Sequence, residues 1–307
     1  MRKSLLAVIL LSAVLTVRAQ TPIAGSDLGI PSKVAPAYFG PNAFPVPLIP
    51  EGRTSLALSA ELSADLFSGL GKPWGEDLTV GPSFRLSLPL FTDRATLNVW
   101  MPIVEWWQYG PETAAYRRLQ GDFLLGGKGH DSGDVYISTD IHVLRAKGWR
   151  PDILIRACLK TASGNSFNEA RYYDAAGYFF DATIANSLYF KGFVSELRGA
   201  VSGGFLCWQT DNGRQNDAIQ AGLMGMIDTR VFRFEAQCAG YFGWEKDGDM
   251  PVTVRARLDF HARDFQPFVS AVYGIHDYPF WGISAGLRYR FDIAEFKRKK
   301  AEKSRND

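Results

Sequence analysis

Apolar and polar residues alternate one for one along most of this chain, and a period of two fits strands rather than helices. The stretch 282–291 shows it with almost no exception. Ile283, Ala285, Leu287, Tyr289 and Phe291 share one parity, and Ser284, Arg288 and Arg290 share the other. One face of that strand is apolar and ends in aromatics, while the opposite face carries two arginines. The question that controls everything else is which of the two looks inward.

The same alternation recurs through 54–68, 78–91, 95–109, 134–144, 153–162, 178–188, 193–208, 218–227, 232–244, 252–263 and 266–275, which with 282–291 makes twelve strands. Short links such as "TDR", "DTR" and "ARDF" take turns with long polar ones such as "SGNSFNEARYYDAAG" and "QTDNGRQND". An even number of antiparallel strands, with short turns at one end and long loops at the other, is the arrangement of a transmembrane β-barrel. The expected fold is therefore all-β, a single twelve-stranded antiparallel meander closed on itself.

A soluble barrel alternates too, but it turns its apolar face inward. Here the polar faces are long and dense in charge, and aromatics of the apolar parity gather at strand ends. Trp107, Tyr109, Trp244 and Trp281 sit beside the long loops, and Phe232, Phe265, Tyr289 and Phe291 beside the short turns. Two aromatic belts mark the two interfaces of a bilayer. The apolar parity is thus expected to face lipid and the polar parity a lumen.

The ends of the chain support export. Arg2 and Lys3 precede an apolar run from Leu5 to Val17, and Val17 and Ala19 form a small-residue cleavage pattern. That is the pattern of a secretory signal peptide over 1–19, and the run is too short for a spanning helix with such flanks. A Pro-rich segment follows over 20–53, expected either in the periplasm or as a plug in the lumen. The barrel is expected over 54–293, and a basic periplasmic tail over 294–307. Because the leader and tail are both basic, the small positive charge of the whole chain, +2, hides an acidic middle. Nothing here resembles the basic domain of a nucleic-acid binder. Cys158, Cys207 and Cys238 are far apart and lack CxxC spacing, so neither a disulfide framework nor a zinc site is expected.

Ser284-x-Gly286-x-x-Tyr289-x-Phe291 resembles the terminal-strand signal of bacterial outer-membrane β-barrels. The resemblance implies residence in the outer membrane, contact with its lipid, and recognition by the barrel assembly machinery through the last strand. The chain departs from the usual pattern by continuing past Phe291 into the basic tail. More loosely, the Pro-rich start, "PEGRTSLALSAEL" and "SGDVYIST" resemble small transporter barrels such as those linked to phenol degradation.

Catalytic chemistry is weakly signalled. His142 and His261 lie on the polar parity, where buried hydrogen-bonding partners explain them. His276 with Asp277 at the top of the eleventh strand has the makings of an acid/base pair at the rim. A loop histidine solvated beside an aspartate is the simpler explanation of the pair. No metal set, no cofactor motif and no catalytic residue is assigned. Attention falls instead on the lumen, where parity collects Arg156, Lys160, Arg255, Arg257, Arg288 and Arg290 with Asp140 and Asp181 as constriction candidates. Arg156 and Lys160 flank Cys158 on one strand, with Asp140 and Asp181 on the strands to either side. Three functions remain open: a passive channel for small polar or weakly anionic solutes, an outer-membrane enzyme using His276 and Asp277, and a non-conducting structural or surface-interaction barrel.

Overall fold

The computed structural model describes residues 40–71, 75–90, 93–116, 124–164, 176–209, 215–244, 248–262 and 264–292. The expected signal peptide, the first part of the Pro-rich segment and the basic tail lie outside them.

Fourteen strand segments make one sheet: β1 (Ala57–Gly69), β2 (Leu78–Pro89), β3 (Ala95–Pro102), β4 (Glu105–Tyr109), β5 (Gly127–Asp131), β6 (Tyr136–Leu144), β7 (Asp152–Lys160), β8 (Gly177–Tyr189), β9 (Val194–Gln209), β10 (Gln215–Thr229), β11 (Phe232–Gly243), β12 (Val252–Phe260), β13 (Phe265–His276) and β14 (Phe280–Asp292). β3 with β4, and β5 with β6, are the two halves of single wall strands, so the wall has twelve. Consecutive wall strands pair antiparallel, and β1 pairs with β14 from Ala57↔Asp292 to Gly69↔Phe280. That last pairing closes the sheet. Closure leaves no edge, which is what a hydrocarbon environment demands of a backbone full of donors and acceptors.

Side-chain exposure is inverted relative to a soluble protein. Leu223 is 61% exposed and Val201 63%, while Lys160 is 2% and Asp181 4% exposed. Leu62, Ile155, Leu159, Ile184, Ile219 and Ile283 continue the exposed apolar face around the wall. Apolar groups that shun water can cover the outside only where the surroundings are themselves apolar. The outer face is a lipid face, and the polar parity lines the lumen.

The strand expected over 95–109 is interrupted, and the interruption corrects the aromatic assignment. In β3 the even-numbered Thr96, Asn98 and Pro102 point inward, whereas in β4 the odd-numbered Glu105, Trp107 and Tyr109 do. Against β2 the register steps from Ser83↔Pro102 to Val80↔Trp106, so four residues of one strand span three of the other. One inserted residue is a β-bulge, and it exchanges the two faces. A side chain on Gly81 would put its Cβ 2.0 Å from the Val104 carbonyl oxygen, so only glycine lets the bulge lie against β2. Trp107 and Tyr109 are accordingly buried inside, where Trp107 Nε1 donates to Asp131 Oδ2 at 2.8 Å. Trp106, half exposed, takes the outward place. The rest of the expected belt keeps its outward side, with Trp244, Phe265 and Tyr289 exposed.

The long link after Tyr109 is also more ordered than expected. It holds a short helix, α1 (Pro111–Tyr116), with proline at its start and Glu112 in its first turn, and it returns through β5 alongside β4.

The assignment of faces predicts an asymmetry in assembly. Leu223→Arg should block heat-modifiable folding of the barrel, since a charge on the lipid face near mid-bilayer costs about 2–4 kcal/mol. Ser284→Arg, on the lumen side beside open space, should fold almost as the parent does. Equal loss of the folded band in both would overturn the face assignment.

Candidate functional site

The interior of the barrel is filled by the chain's own residues 40–53, "GPNAFPVPLIPEGR". The segment enters at the long-loop end, where Tyr278 Oη donates to the Pro41 carbonyl at 3.2 Å. It leaves at the short-turn end, where Arg53 Nη1 donates to Glu196 Oε1 at 2.8 Å, and the chain then turns up into β1. It opens with a turn at 41–43, the Ala43 amide donating to the Gly40 carbonyl at 3.3 Å, and Pro45, Pro47 and Pro50 hold the rest extended; with Pro41 they remove four amide donors that a single strand in a lumen has no neighbour to satisfy.

Six of its carbonyls and the Ile49 amide are met by side chains of the barrel. The Tyr241 hydroxyl donates to Phe44 O at 3.2 Å, Arg255 Nη2 to Val46 O at 3.0 Å, Arg156 Nη2 to Leu48 O at 2.7 Å, and Arg198 Nε to Glu51 O at 2.7 Å. Gln237 supplies both halves of a strand-like pair: its Oε1 accepts from the Ile49 amide at 2.9 Å and its Nε2 donates to the Ile49 carbonyl at 3.2 Å. Phe44, Val46 and Ile49 are buried against the wall. A Cβ on Gly222 would come within 2.7 Å of Ile49 Cδ1, so the bare backbone there is what seats Ile49.

The charged candidates fall into three groups. In the first, Asp140, Arg156 and Asp181 are lateral neighbours on β6, β7 and β8, as the register Asp140↔Arg156↔Asp181 shows. Arg156 pairs with Asp181 at 2.6 Å, so this pair braces one wall rather than facing across the lumen. Lys160, farther along β7, pairs with Asp134 and is fully buried. Cys158 lies between Arg156 and Lys160 and is buried.

In the second group, Arg257 and Arg288 share two carboxylates. Arg257 reaches Glu61 at 3.1 Å and Asp259 at 2.9 Å, and Arg288 reaches Glu61 at 2.6 Å and Asp259 at 3.2 Å. The third group is Arg85 and Arg255. Arg85 stacks on Trp100, its guanidinium carbon 4.7 Å from the ring centre, and Arg255 holds the Val46 carbonyl while its Nε is buried without a partner. Arg290 stands apart. It is exposed at the short-turn rim, where its amide donates to Asp264 O at 2.9 Å.

The rim pair is braced by backbone. His276 Nδ1 donates to Met250 O at 2.9 Å, and Asp277 Oδ2 accepts from the Met250 amide at 3.1 Å. His142 and His261 contact Asp152 at 2.8 Å and Asp228 at 2.7 Å at the short-turn end. Among the described residues no cluster of three or more His, Cys, Asp or Glu is arranged to hold a metal.

Because the segment leans on the wall from β7 to β11, it leaves space against β1–β3 and β12–β14. A cavity of about 320 Å³ there is lined by Glu61, Arg85, Trp100, Arg255, Arg257 and Arg288 among others, and a second of about 230 Å³ shares most of these residues. The residues that sequence reasoning missed are the uncharged clasps, Gln237, Tyr241 and Tyr278, and the acids Asp134 and Asp152. Gln237 and Tyr241 do lie on the inward parity of 232–244, and counting neutral hydrogen-bonding side chains there with the charged ones would have singled them out.

No family model matches the chain, and no curated protein matches its sequence. Among solved structures, an outer membrane channel from Pseudomonas putida F1 is similar at a TM-score of 0.56 and 12% identity, covering 80% of this chain and 100% of that one. The KdgM porin in complex with disordered oligogalacturonate follows at a TM-score of 0.45 and 11% identity, over 76% of this chain and 99% of that one. The first likeness is one of fold, a closed antiparallel β-barrel.

Gln237→Leu is a direct test of the clasp. It leaves the Ile49 amide and carbonyl without partners, at a cost of about 1–3 kcal/mol. The Ile49 amide should then exchange with deuterium about 5- to 150-fold faster in the folded barrel. Exchange at the parental rate would mean that Gln237 does not hold the segment.

Proposed function

We propose that this protein is a passive outer-membrane channel for small polar or weakly anionic solutes, and that residues 40–53 narrow its lumen. The observation that carries the reading is the space left beside that segment. It is lined by charged and polar side chains, with arginines prominent among them. Rings of fixed charge at a constriction bias which solutes pass. The similar Pseudomonas putida F1 protein is an outer membrane channel, which agrees with this reading. In it the lumen arginines have two tasks: Arg156, Arg198 and Arg255 anchor the segment, and Arg85, Arg257 and Arg288, with Arg255 again, set the field along the open side. His276 and Asp277 brace the rim. The last strand, with Ser284, Gly286, Tyr289 and Phe291, engages the assembly machinery.

One observation favours a second reading, the non-conducting barrel. The segment is bonded to the wall at six backbone positions from Pro41 to Glu51, which is the behaviour of a permanent brace. Conductance in planar bilayers separates the two. The channel reading predicts a small, steady conductance for the parent chain with reversal potentials on the anion side in a salt gradient. It also predicts a severalfold rise on deleting residues 41–50. Zero conductance in both proteins would favour the brace.

A further inference from the structure

We propose that the open side of the lumen is a binding site for a small organic monocarboxylate, its carboxylate clamped by Arg85 and Arg255 and its apolar body seated on Trp100. The proposal rests on the channel reading and names the class of solute it would take.

Two lumen arginines stand out because no carboxylate among the described residues is within ion-pair distance of either, although Arg85 lies opposite Glu61 in the β1–β2 register. Arg257 and Arg288 pair with Glu61 and Asp259, Arg156 with Asp181, and Arg233, whose Nε is itself buried without a partner, with Glu51 at 2.6 Å and Asp228 at 3.1 Å. Arg85 and Arg255 line both cavities, and neither forms an ion pair among the described residues. Arg255 makes one bond, to a neutral carbonyl, and keeps a buried Nε with no acceptor. Arg85 has an aromatic ring on one face and donates to no acceptor among the described residues. Half-buried guanidinium groups short of acceptors in a confined lumen are costly, and an anion in the cavities that both arginines line would supply acceptors.

The shape of the surroundings selects the anion. A guanidinium presents two parallel N–H groups that match the two oxygens of a carboxylate. Within an otherwise polar lining, Trp100, against which Arg85 stacks, and Phe67, Pro45 and Leu48 give the cavity an apolar share. A bare inorganic ion would leave that surface uncovered, whereas a carboxylate on a compact apolar or aromatic body covers it. Asp140 and Glu235 also line the cavity. Neither is paired to an arginine, and both would repel a second negative charge, which favours a monoanion. A cavity of about 320 Å³ accommodates a body of one ring.

The full chain, folded in detergent, is titrated calorimetrically with benzoate, with its neutral isostere benzamide, and with inorganic phosphate. Binding at equilibrium does not depend on conduction, so this result stands apart from the bilayer measurement above. Benzoate should bind, and benzamide and phosphate should bind at least about tenfold more weakly. Arg85→Gln and Arg255→Gln should each weaken benzoate by about tenfold or more. Arg85→Lys should retain part of the affinity, and Arg290→Gln, at the rim, should change nothing. No benzoate binding, or equal binding of benzoate and benzamide, would overturn the proposal without recourse to any variant. Phosphate binding as tight as benzoate would overturn its apolar half. Unaltered affinity in heat-modifiable Arg85→Gln and Arg255→Gln would overturn the clamp.

Discussion

Closure of the sheet between β1 and β14 is the constraint on which the rest depends. An open sheet in hydrocarbon would strand a row of amides and carbonyls, each costing several kcal/mol. Once the ring is closed, every strand must show one parity to lipid and the other to an enclosed space. The apolar exterior and the charged interior are therefore a single consequence of closure, read on opposite faces of the same residues. A twelve-stranded ring is wider than side chains alone will fill and narrower than an open porin. This chain fills the difference with its own residues 40–53.

That filling explains the composition of the lumen. An isolated extended segment needs partners for its backbone, and proline reduces the need while the wall supplies the rest. Arginine suits the task because one side chain serves a carboxylate and a carbonyl together, as Arg156 does with Asp181 and Leu48. Arg198 likewise bonds Asp152 at 2.8 Å and the Glu51 carbonyl at 2.7 Å. The segment is held to one side of the ring; Arg85 faces the open space opposite it, and Arg255, at the edge between the two, holds the Val46 carbonyl and also lines that space. The asymmetry between a clasped wall and an open wall is what gives the lumen a candidate site at all.

Much of this was legible in the sequence, because parity is a local property. Twelve alternating stretches, the long- and short-link rhythm and the inward side of Arg85, Arg156, Arg255, Arg257 and Arg288 follow from period two alone. Where parity changes within a strand, local reading fails. The bulge at 103–104 shows only against β2, through Gly81, so Trp107 and Tyr109 were expected on lipid and stand inside. Partner choice is likewise not local. Asp140 and Asp181 are equivalent by pattern, yet only Asp181 takes Arg156, and Lys160 takes Asp134 from outside the strands. Nothing in "GPNAFPVPLIPEGR" says which side of the wall it lies on, since a proline-rich segment suits a periplasmic linker as well as a lumen. Its place is settled by Gln237, Arg156, Arg198 and Arg255, more than a hundred residues away in sequence.

The central claim is that residues 40–53 lie inside the barrel, paired to its wall. Nuclear Overhauser contacts in a labelled sample, folded in nanodiscs, read that claim most directly. The account predicts contacts between the Ile49 amide and the Gln237 side-chain amide, and between the Phe44 ring and Trp208, whose centroids lie 6.2 Å apart. Random-coil shifts throughout 40–53, with no contact to β9 or β11, would contradict it.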